Sequence, residues 1–311
     1  MARVTIIIPS YNHQNYIEQR LDSILDQSYK DWEAIIIDDK SSDASVEIIE
    51  NYLKKNPEFT IKAFIKNENN SGSGYKSWQK GIELAQTEFI WIAETDDYCE
   101  PNFLETTVSA LQSHPTTVLA FTGSNYVNEY GEFLYNSSKR TASLNVEKDK
   151  FCIFKSEIFV DNLPFNSYLT NGSSVVFRKS LSQIPQDIFN NKQSSDLFLW
   201  TYLLKDHQFA FVNSFLNSFR QHSASTTAKN HKLRQQKVYE EKVKYLNYFE
   251  QTCKYKALIQ HYIKHYVWSN KSKLFKIKFL KKINTNKSVI FYYYKSLFHF
   301  ITNKICGYER G

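Results

Sequence analysis

The chain has 311 residues, enough for one large α/β domain and a smaller appendage, and it is rich in aromatic residues, with 21 Tyr and 23 Phe. Its net charge of +7 hides a division: residues 229–311 hold 19 Lys and Arg against 4 Glu (+15), while residues 1–228 hold 20 basic against 28 acidic residues (−8). No apolar run reaches the roughly 18 residues that span a bilayer, the N-terminal run is too short for a signal peptide, and four scattered cysteines without CxxC spacing point to neither a zinc site nor a disulfide framework, so a reducing cytoplasm is expected.

Val4–Ile8 is a continuous apolar run closed by Pro9 and reads as a buried strand. Ser10-Tyr11-Asn12 then turn into a helix over Tyr16–Ser28, with Ile17, Leu21, Ile24 and Leu25 on one face. Ala34–Ile37 is a second strand ending in Asp38-Asp39-Lys40-Ser41-Ser42-Asp43, and the helix beyond it carries Val46, Ile49 and Leu53 on one side. Ile61–Ile65 is a third strand; the polar loop Lys66–Gly74 leads to a helix ending near Ala85, and Phe89–Ala93 is a fourth strand. This alternation predicts βαβ units: a largely parallel sheet with helices on both faces. Pro101 marks the first turn of a further helix. After it the rhythm changes. Val118–Thr122 is a fifth strand, Tyr126–Leu134 a hairpin turning at Asn128-Glu129-Tyr130-Gly131, and Ser173–Phe177 is strand-like. Asp196–Leu204 reads as a buried helix and Phe209–Val212 as a last short strand. From Lys229 onward the pattern is helical, basic and aromatic, so a body over residues 1–228 and an extension over 229–311 are expected.

The chemistry concentrates in Phe89–Pro101, FIWIAETDDYCEP. Glu94, Thr95, Asp96 and Asp97 follow the strand at once, at the sheet edge where open α/β folds bind ligands. Adjacent carboxylates repel unless a cation sits between them. A hard divalent cation that keeps coordination positions for phosphates fits this need; a solvated acidic turn is the plain alternative. Asp38-Asp39 and Asp196 come to the same edge. The loop PSYNHQNY contains no glycine, which removes the GxGxxG and Walker-type phosphate cradles. A sheet of nucleotide-binding type in which acids replace glycines matches a nucleotide diphosphate held through a metal.

Together the segments TIIIPSYNHQNYIEQRLDSILDQSYKDWEAIIIDDKSSD and NSGSGYKSWQKGIELAQTEFIWIAETDDYCEP, and more weakly SSDLFLWTYLL and FRQHSAST, resemble the family-2 glycosyltransferases with a GT-A fold that build bacterial surface polysaccharides. The resemblance is strong over residues 3–110, weaker to 228 and absent beyond. It implies a nucleotide-sugar-binding half over 1–122 and an acceptor half over 123–228. Pro9, Ser10 and Tyr11 would line the uracil or ribose side of a UDP-sugar, and Asp39 would accept a hydrogen bond from the base. Asp97 would ligate Mn²⁺ or Mg²⁺, with Asp96 on the ribose or the sugar; Glu94 stands where the family has the first acid of its metal motif, a departure that leaves its role open. Lys76 reads either as a diphosphate or sugar contact or as a solvated helix lysine. Asp196 matches the family's general base and is also placed to cap its helix. His222 matches a histidine that some members use near the metal, and a structural role is the alternative.

The resemblance further implies an inverting, metal-dependent transfer from a nucleotide donor to a glycan or lipid-linked acceptor, with Asp196 taking the acceptor's proton. A sugar nucleotidyltransferase would need a glycine- and Arg/Lys-rich loop after the first strand, and a non-catalytic glycan- or polyanion-binding protein would not need both Asp97 and Asp196. The basic extension, with Lys273, Lys276, Lys278, Lys281, Lys282 and Lys287 among Trp268, Phe275, Phe279 and Phe291, reads as the solvated face of packed helices or as a contact with the anionic inner face of the plasma membrane. The acidic body argues against nucleic acid. The oligomeric state stays open.

Overall fold

Apolar runs build one half of the sheet: β1 (Val4–Ser10), β2 (Trp32–Asp38), β3 (Ile61–Lys66) and β4 (Phe89–Ile92) pair in parallel in the order β3-β2-β1-β4, with β3 at the edge. β1 and β4 are buried along their whole length, as strands covered on both faces must be. The computed structural model describes residues 3–160, 167–179, 184–222, 231–251, 254–262 and 287–305, and the chain divides into two compact units, Met1–Ser223 and Ala224–Gly311. In the first unit the connections are α1 (Ile17–Leu25), α2 (Ser45–Lys55) and α3 (Gly74–Leu84). After β4 come a short β5 (Tyr98–Cys99) and α4 (Phe103–Ser113), which starts two residues beyond Pro101.

The second half of the sheet holds more than the apolar runs announce. β6 (Thr117–Val127) turns through residues 128–132 into β7 (Phe133–Asn136), giving the expected hairpin. Asn128 Oδ1 accepts from the backbone N–H of Tyr130 and of Glu132, each at 3.0 Å, and Gly131 takes the positive φ of 87° that the turn requires. Two short helices follow, α5 (Ser138–Thr141) and α6 (Ser156–Val160), with β8 (Phe151–Lys155) between them. β9 (Val175–Arg178) then runs antiparallel between β4 and β6. After the buried helix α7 (Ser195–Leu204) comes β10, which spans Gln208–Arg220 rather than the four residues its apolar run suggests. Polar Asn213, Ser214 and Asn217 interrupt the hydrophobic pattern, but the strand carries on along β6 through register shifts around Phe215. β1, β2, β3, β4, β6 and β10 all run the same way, so the sheet is mixed and mostly parallel.

This topology positions the site. The far end of β10 pairs with β5, Asn217 opposite Cys99 and Ser218 opposite Tyr98, so residues 217–222 lie against the acidic loop that follows β4. Among the described residues of the second unit, helices span His231–Tyr248, Tyr255–Tyr262 and Lys287–Ile305, burying Tyr245, Leu246, Leu258 and Tyr293. Lysines 273–282 and Trp268, Phe275 and Phe279 lie outside the described residues.

α3 lies directly on β1: a Cβ on Gly81 would fall 2.4 Å from Ile7 Cγ2 and 2.9 Å from Cγ1, both belonging to a buried β-branched side chain. Gly81→Ala is therefore expected to destabilise the first unit by about 1–3 kcal/mol through overpacking, despite a gain in helix propensity of about 1 kcal/mol. A lower urea midpoint at unchanged slope is the expected result; an equal or higher midpoint would contradict the close helix–strand packing.

Candidate active site

The loop Glu94–Asp97 leaves β4 at the carboxyl edge of the sheet, and its two aspartates meet opposite fates. Asp97 is buried, its side chain 1% exposed. Oδ2 accepts from Ser173 Oγ at 2.6 Å and from Asn171 Nδ2, and Oδ1 accepts from the backbone N–H of Arg220 at 3.0 Å. Arg20 Nη2, fully buried on α1, stands 4.0 Å from Oδ2. Burial, followed by the charge of Asp96, pushes the Asp97 carboxyl up to about 7. A carboxylate so enclosed has little left to offer a metal, contrary to the role expected from its place in the motif.

Asp96 is the carboxylate that remains accessible. Its side chain is 17% exposed, and Oδ2 meets His222 Nε2 at 3.1 Å. His13, from the loop after β1, completes a group of three whose ligand atoms all lie within 4.8 Å of one another. Thr95 Oγ1 donates to the Pro9 carbonyl at 3.1 Å and also meets His13 Nδ1. Since the hydroxyl has one proton, His13 donates through Nδ1–H, which puts the lone pair of the neutral ring on Nε2. Two imidazoles and a carboxylate form a donor set that fits a divalent cation. Burial opposes ionisation of Asp96, but the His222 hydrogen bond, and the positive charge of either imidazole when protonated, hold the carboxyl below its ordinary value. His222 and His13 enclose the Tyr16 ring, with centroids at 4.9 and 6.1 Å.

Behind the loop, Arg220 acts as a bracket. Its guanidinium donates to the carbonyls of Asp96 (2.9 Å), Glu129 (2.9 Å) and Asn128 (3.3 Å) and to Gln19 Oε1 (2.5 Å), and it lies over the rings of Tyr16 and Tyr98. Glu94 points the other way, where Oε1 accepts from Trp78 Nε1 at 2.8 Å. Burial, then Asp96 and Asp97, push its carboxyl up to about 8. One helical turn earlier on α3, Tyr75 donates to Asp196 Oδ1 at 3.1 Å, and the Tyr75 and Trp78 rings meet edge-on at 5.0 Å. Ser194 occupies the N-cap position, so Asp196 stands in the first turn of α7 rather than capping it. Lys76 does not join this group: its ammonium donates to Asn190 Oδ1 at 2.8 Å and Gln79 Oε1 at 3.2 Å.

At the ends of β1 and β2, Tyr11 is exposed while the Ser10 hydroxyl is buried without a hydrogen-bond partner. Asp38 accepts from the backbone N–H of Ser41 at 2.9 Å and from its hydroxyl. Asp39 accepts from Asn67 Nδ2 (2.8 Å) and from the Ser71 N–H and hydroxyl (2.9 and 2.8 Å), which ties β2 to the loop before α3. The Ser71 N–H also reaches Oδ2 at 3.1 Å, so each carboxylate oxygen accepts two hydrogen bonds. The residues that sequence reasoning passed over are His13, Arg20, Tyr75, Trp78, Asn171, Ser173 and Arg220. Arg20 had a signal: it occupies the apolar stripe Ile17, Leu21, Ile24 of α1, where a charge demands a partner.

The raised pKa values of Glu94 and Asp97 have a thermodynamic sign. The native state keeps protons that the unfolded chain releases near its ordinary values of 4.5 and 3.8, so these groups stabilise the metal-free protein at low pH and that contribution fades as pH climbs through about 7 and about 8. Urea midpoints in EDTA should fall between about pH 5 and about pH 8, and Glu94→Gln should fall less. A parallel decline in wild type and variant would remove Glu94 as a cause.

Residues 5–183 match the family model described as glycosyl transferase family 2. The GalNAc(5)-diNAcBac-PP-undecaprenol beta-1,3-glucosyltransferase of Campylobacter jejuni is 27% identical over 237 residues, covering 73% of this chain and 69% of that protein. Solved structures share the fold, two of them with bound nucleotide sugar. S. aureus TarS in complex with UDP-GlcNAc superposes with a TM-score of 0.62 at 16% identity, covering 97% of this chain and 81% of that one. A mannosyltransferase from Pyrobaculum calidifontis in complex with GDP-Man and Mn²⁺ gives 0.53 at 12%, covering 99% and 88%. The GT-A architecture expected from the motifs is the one observed, and the chain belongs to glycosyl transferase family 2.

Proposed function

We propose that this protein moves a hexose or N-acetylhexosamine from a nucleotide donor, a UDP-sugar, to a hydroxyl of a growing surface glycan or lipid-linked acceptor, with inversion at the anomeric carbon. One observation carries the reading: α3 holds Asp196 through Tyr75 and Glu94 through Trp78, a turn apart, so the candidate base stands beside the acidic loop that also carries Asp96. The UDP-GlcNAc complex of a structural neighbour supports the donor class, and the undecaprenol-linked substrate in the Campylobacter relative's name supports the acceptor class.

Asp96, His13 and His222 would hold the cation, Mn²⁺ ahead of Mg²⁺, which prefers an all-oxygen shell. When bound, it supplies neutralisation of the charge that builds on a leaving diphosphate. Tyr11, exposed beside the buried Ser10, is placed to cover the base, and Asp39 would accept an N–H of uracil in place of its longest bond, the Ser71 N–H at 3.1 Å from Oδ2. Asp196, oriented by the Tyr75 hydroxyl, removes the acceptor's proton as its oxygen attacks the face opposite the leaving group. A base without an enzyme nucleophile gives inversion.

Asp96→Ala should abolish the Mn²⁺ dependence of UDP binding in calorimetry. Asp196→Asn should bind donor normally and lose transfer by about 10²–10⁴-fold. Retained Mn²⁺ dependence in the first variant, or near wild-type transfer in the second, would refute the respective role.

The second unit supports a contact with the anionic inner face of the plasma membrane, which would make the protein a peripheral one on the cytoplasmic side. Its helix Lys287–Ile305 exposes Phe291 (61%), Tyr294 (51%) and Phe298 (70%) at positions i, i+3 and i+7, within a segment of net charge +15. No helix among the described residues is long and apolar enough to cross a membrane. The full chain should sediment with anionic vesicles at low salt, less at high salt, and less again as Phe291→Ser/Phe298→Ser. Indifference to anionic vesicles would assign that face to something other than lipid.

A further inference from the structure

We infer that Arg20 is a positioning residue for the metal group: buried beneath the acidic loop, it holds the Glu94 carbonyl and faces Asp97, the side chain that ties in Arg220, and so fixes Asp96 and His222. The inference rests on the metal role proposed for Asp96. Adjacent aspartates need a cation; Arg20 stands beside Asp97, and the proposed metal would serve Asp96.

Arg20 lies on the buried face of α1 with its side chain 0% exposed, among the largest fully buried side chains of the protein. It grips the acidic loop twice. Nε donates to the Glu94 carbonyl at 2.8 Å, and Nη2 stands 4.0 Å from Asp97 Oδ2. The guanidinium also lies 5.5 Å from the centroid of the Trp91 ring, on the strand that delivers the loop. Neither Nη1 nor Nη2 makes a hydrogen bond, so the head acts toward Asp97 through its charge rather than through a donor geometry. A guanidinium enclosed this way would be costly unless its field did something for a neighbour.

That neighbour is the centre of the site. Beside Arg20, Asp97 accepts from three donors on two later segments: Asn171 and Ser173 in the turn before β9, and the backbone N–H of Arg220 at the end of β10. Anchoring Arg220 sets the bond from its side chain to the Asp96 carbonyl and, two residues on, brings His222 to 3.1 Å from Asp96. Arg20 touches none of the three metal-binding candidates. Its influence on them passes through Asp97.

The test is an EPR titration of Mn²⁺ into UDP-saturated full-length protein, with thermal unfolding as a check on folding. Arg20→Met should weaken Mn²⁺ binding by about 10–100-fold, the usual effect of removing a support behind a ligand. Arg20→Lys keeps the charge and should retain most of the affinity. In Arg20→Met/Asp97→Asn both charges are gone, and the double variant should bind Mn²⁺ more tightly than the product of the two single effects predicts. Wild-type affinity in Arg20→Met, a loss in Arg20→Lys as large as in Arg20→Met, or strict additivity would each overturn the inference alone. Should Arg20→Met not fold, Arg20→Lys and the double variant, both balanced in charge, must still bind Mn²⁺ within about tenfold of wild type, and failure of either overturns it. Wild-type protein that binds UDP no better with Mn²⁺ than without would overturn the metal reading as well, and that result is distinct because it precedes any substitution.

Discussion

A single buried carboxylate joins parts of the chain that have nothing else in common. Asp97 receives hydrogen bonds from Asn171, Ser173 and Arg220 and the charge of Arg20, which ties α1, the loop after β4, the turn before β9 and the end of β10 to one point. Taking such a group out of water is unfavourable unless its lone pairs and its charge are met. Here three donors and a buried guanidinium offset much of that cost, though burial still pushes the carboxyl up to about 7, and the result is a knot directly beneath the residues proposed to do the chemistry. The neighbouring Asp96 owes its different behaviour to one step along the chain: it turns toward His13 and His222 rather than into the protein.

α3 does comparable service on the other side. It is pressed onto β1 at Gly81, and its Tyr75 and Trp78 hold Asp196 and Glu94 one turn apart. Trp78 in turn leaves so little room that a Cβ on Gly172 would fall 2.8 Å from its ring. The spacing between the candidate base and the acidic loop is thus set by a helix, which is stiffer than a loop. Lys76, on the same helix, belongs to the packing against Asn190 instead.

The βαβ half was legible because its signals are local. Apolar runs alternating with amphipathic helices admit few topologies, and β1 to β4 and their helices lie where the periodicity put them. The second half was less legible because its strands depend on partners. β8 alternates little and is exposed at both ends, and β10 continues through polar asparagines because β6 is there to pair with it. The acids of the site could be found by their position at a strand end. Which aspartate faces inward could not, since that depends on Asn171, Ser173 and Arg220, whose arrival beside residue 97 is a property of the sheet order. His13 carried no pattern of its own; only the Thr95 hydroxyl, 82 residues away, reveals its tautomer.

Arg220 and Gln19 are 201 residues apart in sequence, yet they share a hydrogen bond behind the acidic loop. Contacts of such span form late, because the entropy of closing a long loop must be met before they return anything. During synthesis, β1 to β5 and their helices emerge long before the residues that enclose Asp97 and Asp96. A nascent chain at that stage carries Glu94, Asp96 and Asp97 together without Ser173, Arg220 or His222. A chain that stops short of residue 222 thus lacks the contact His222 makes with Asp96, and one that stops short of residue 171 lacks every side-chain and backbone donor that encloses Asp97.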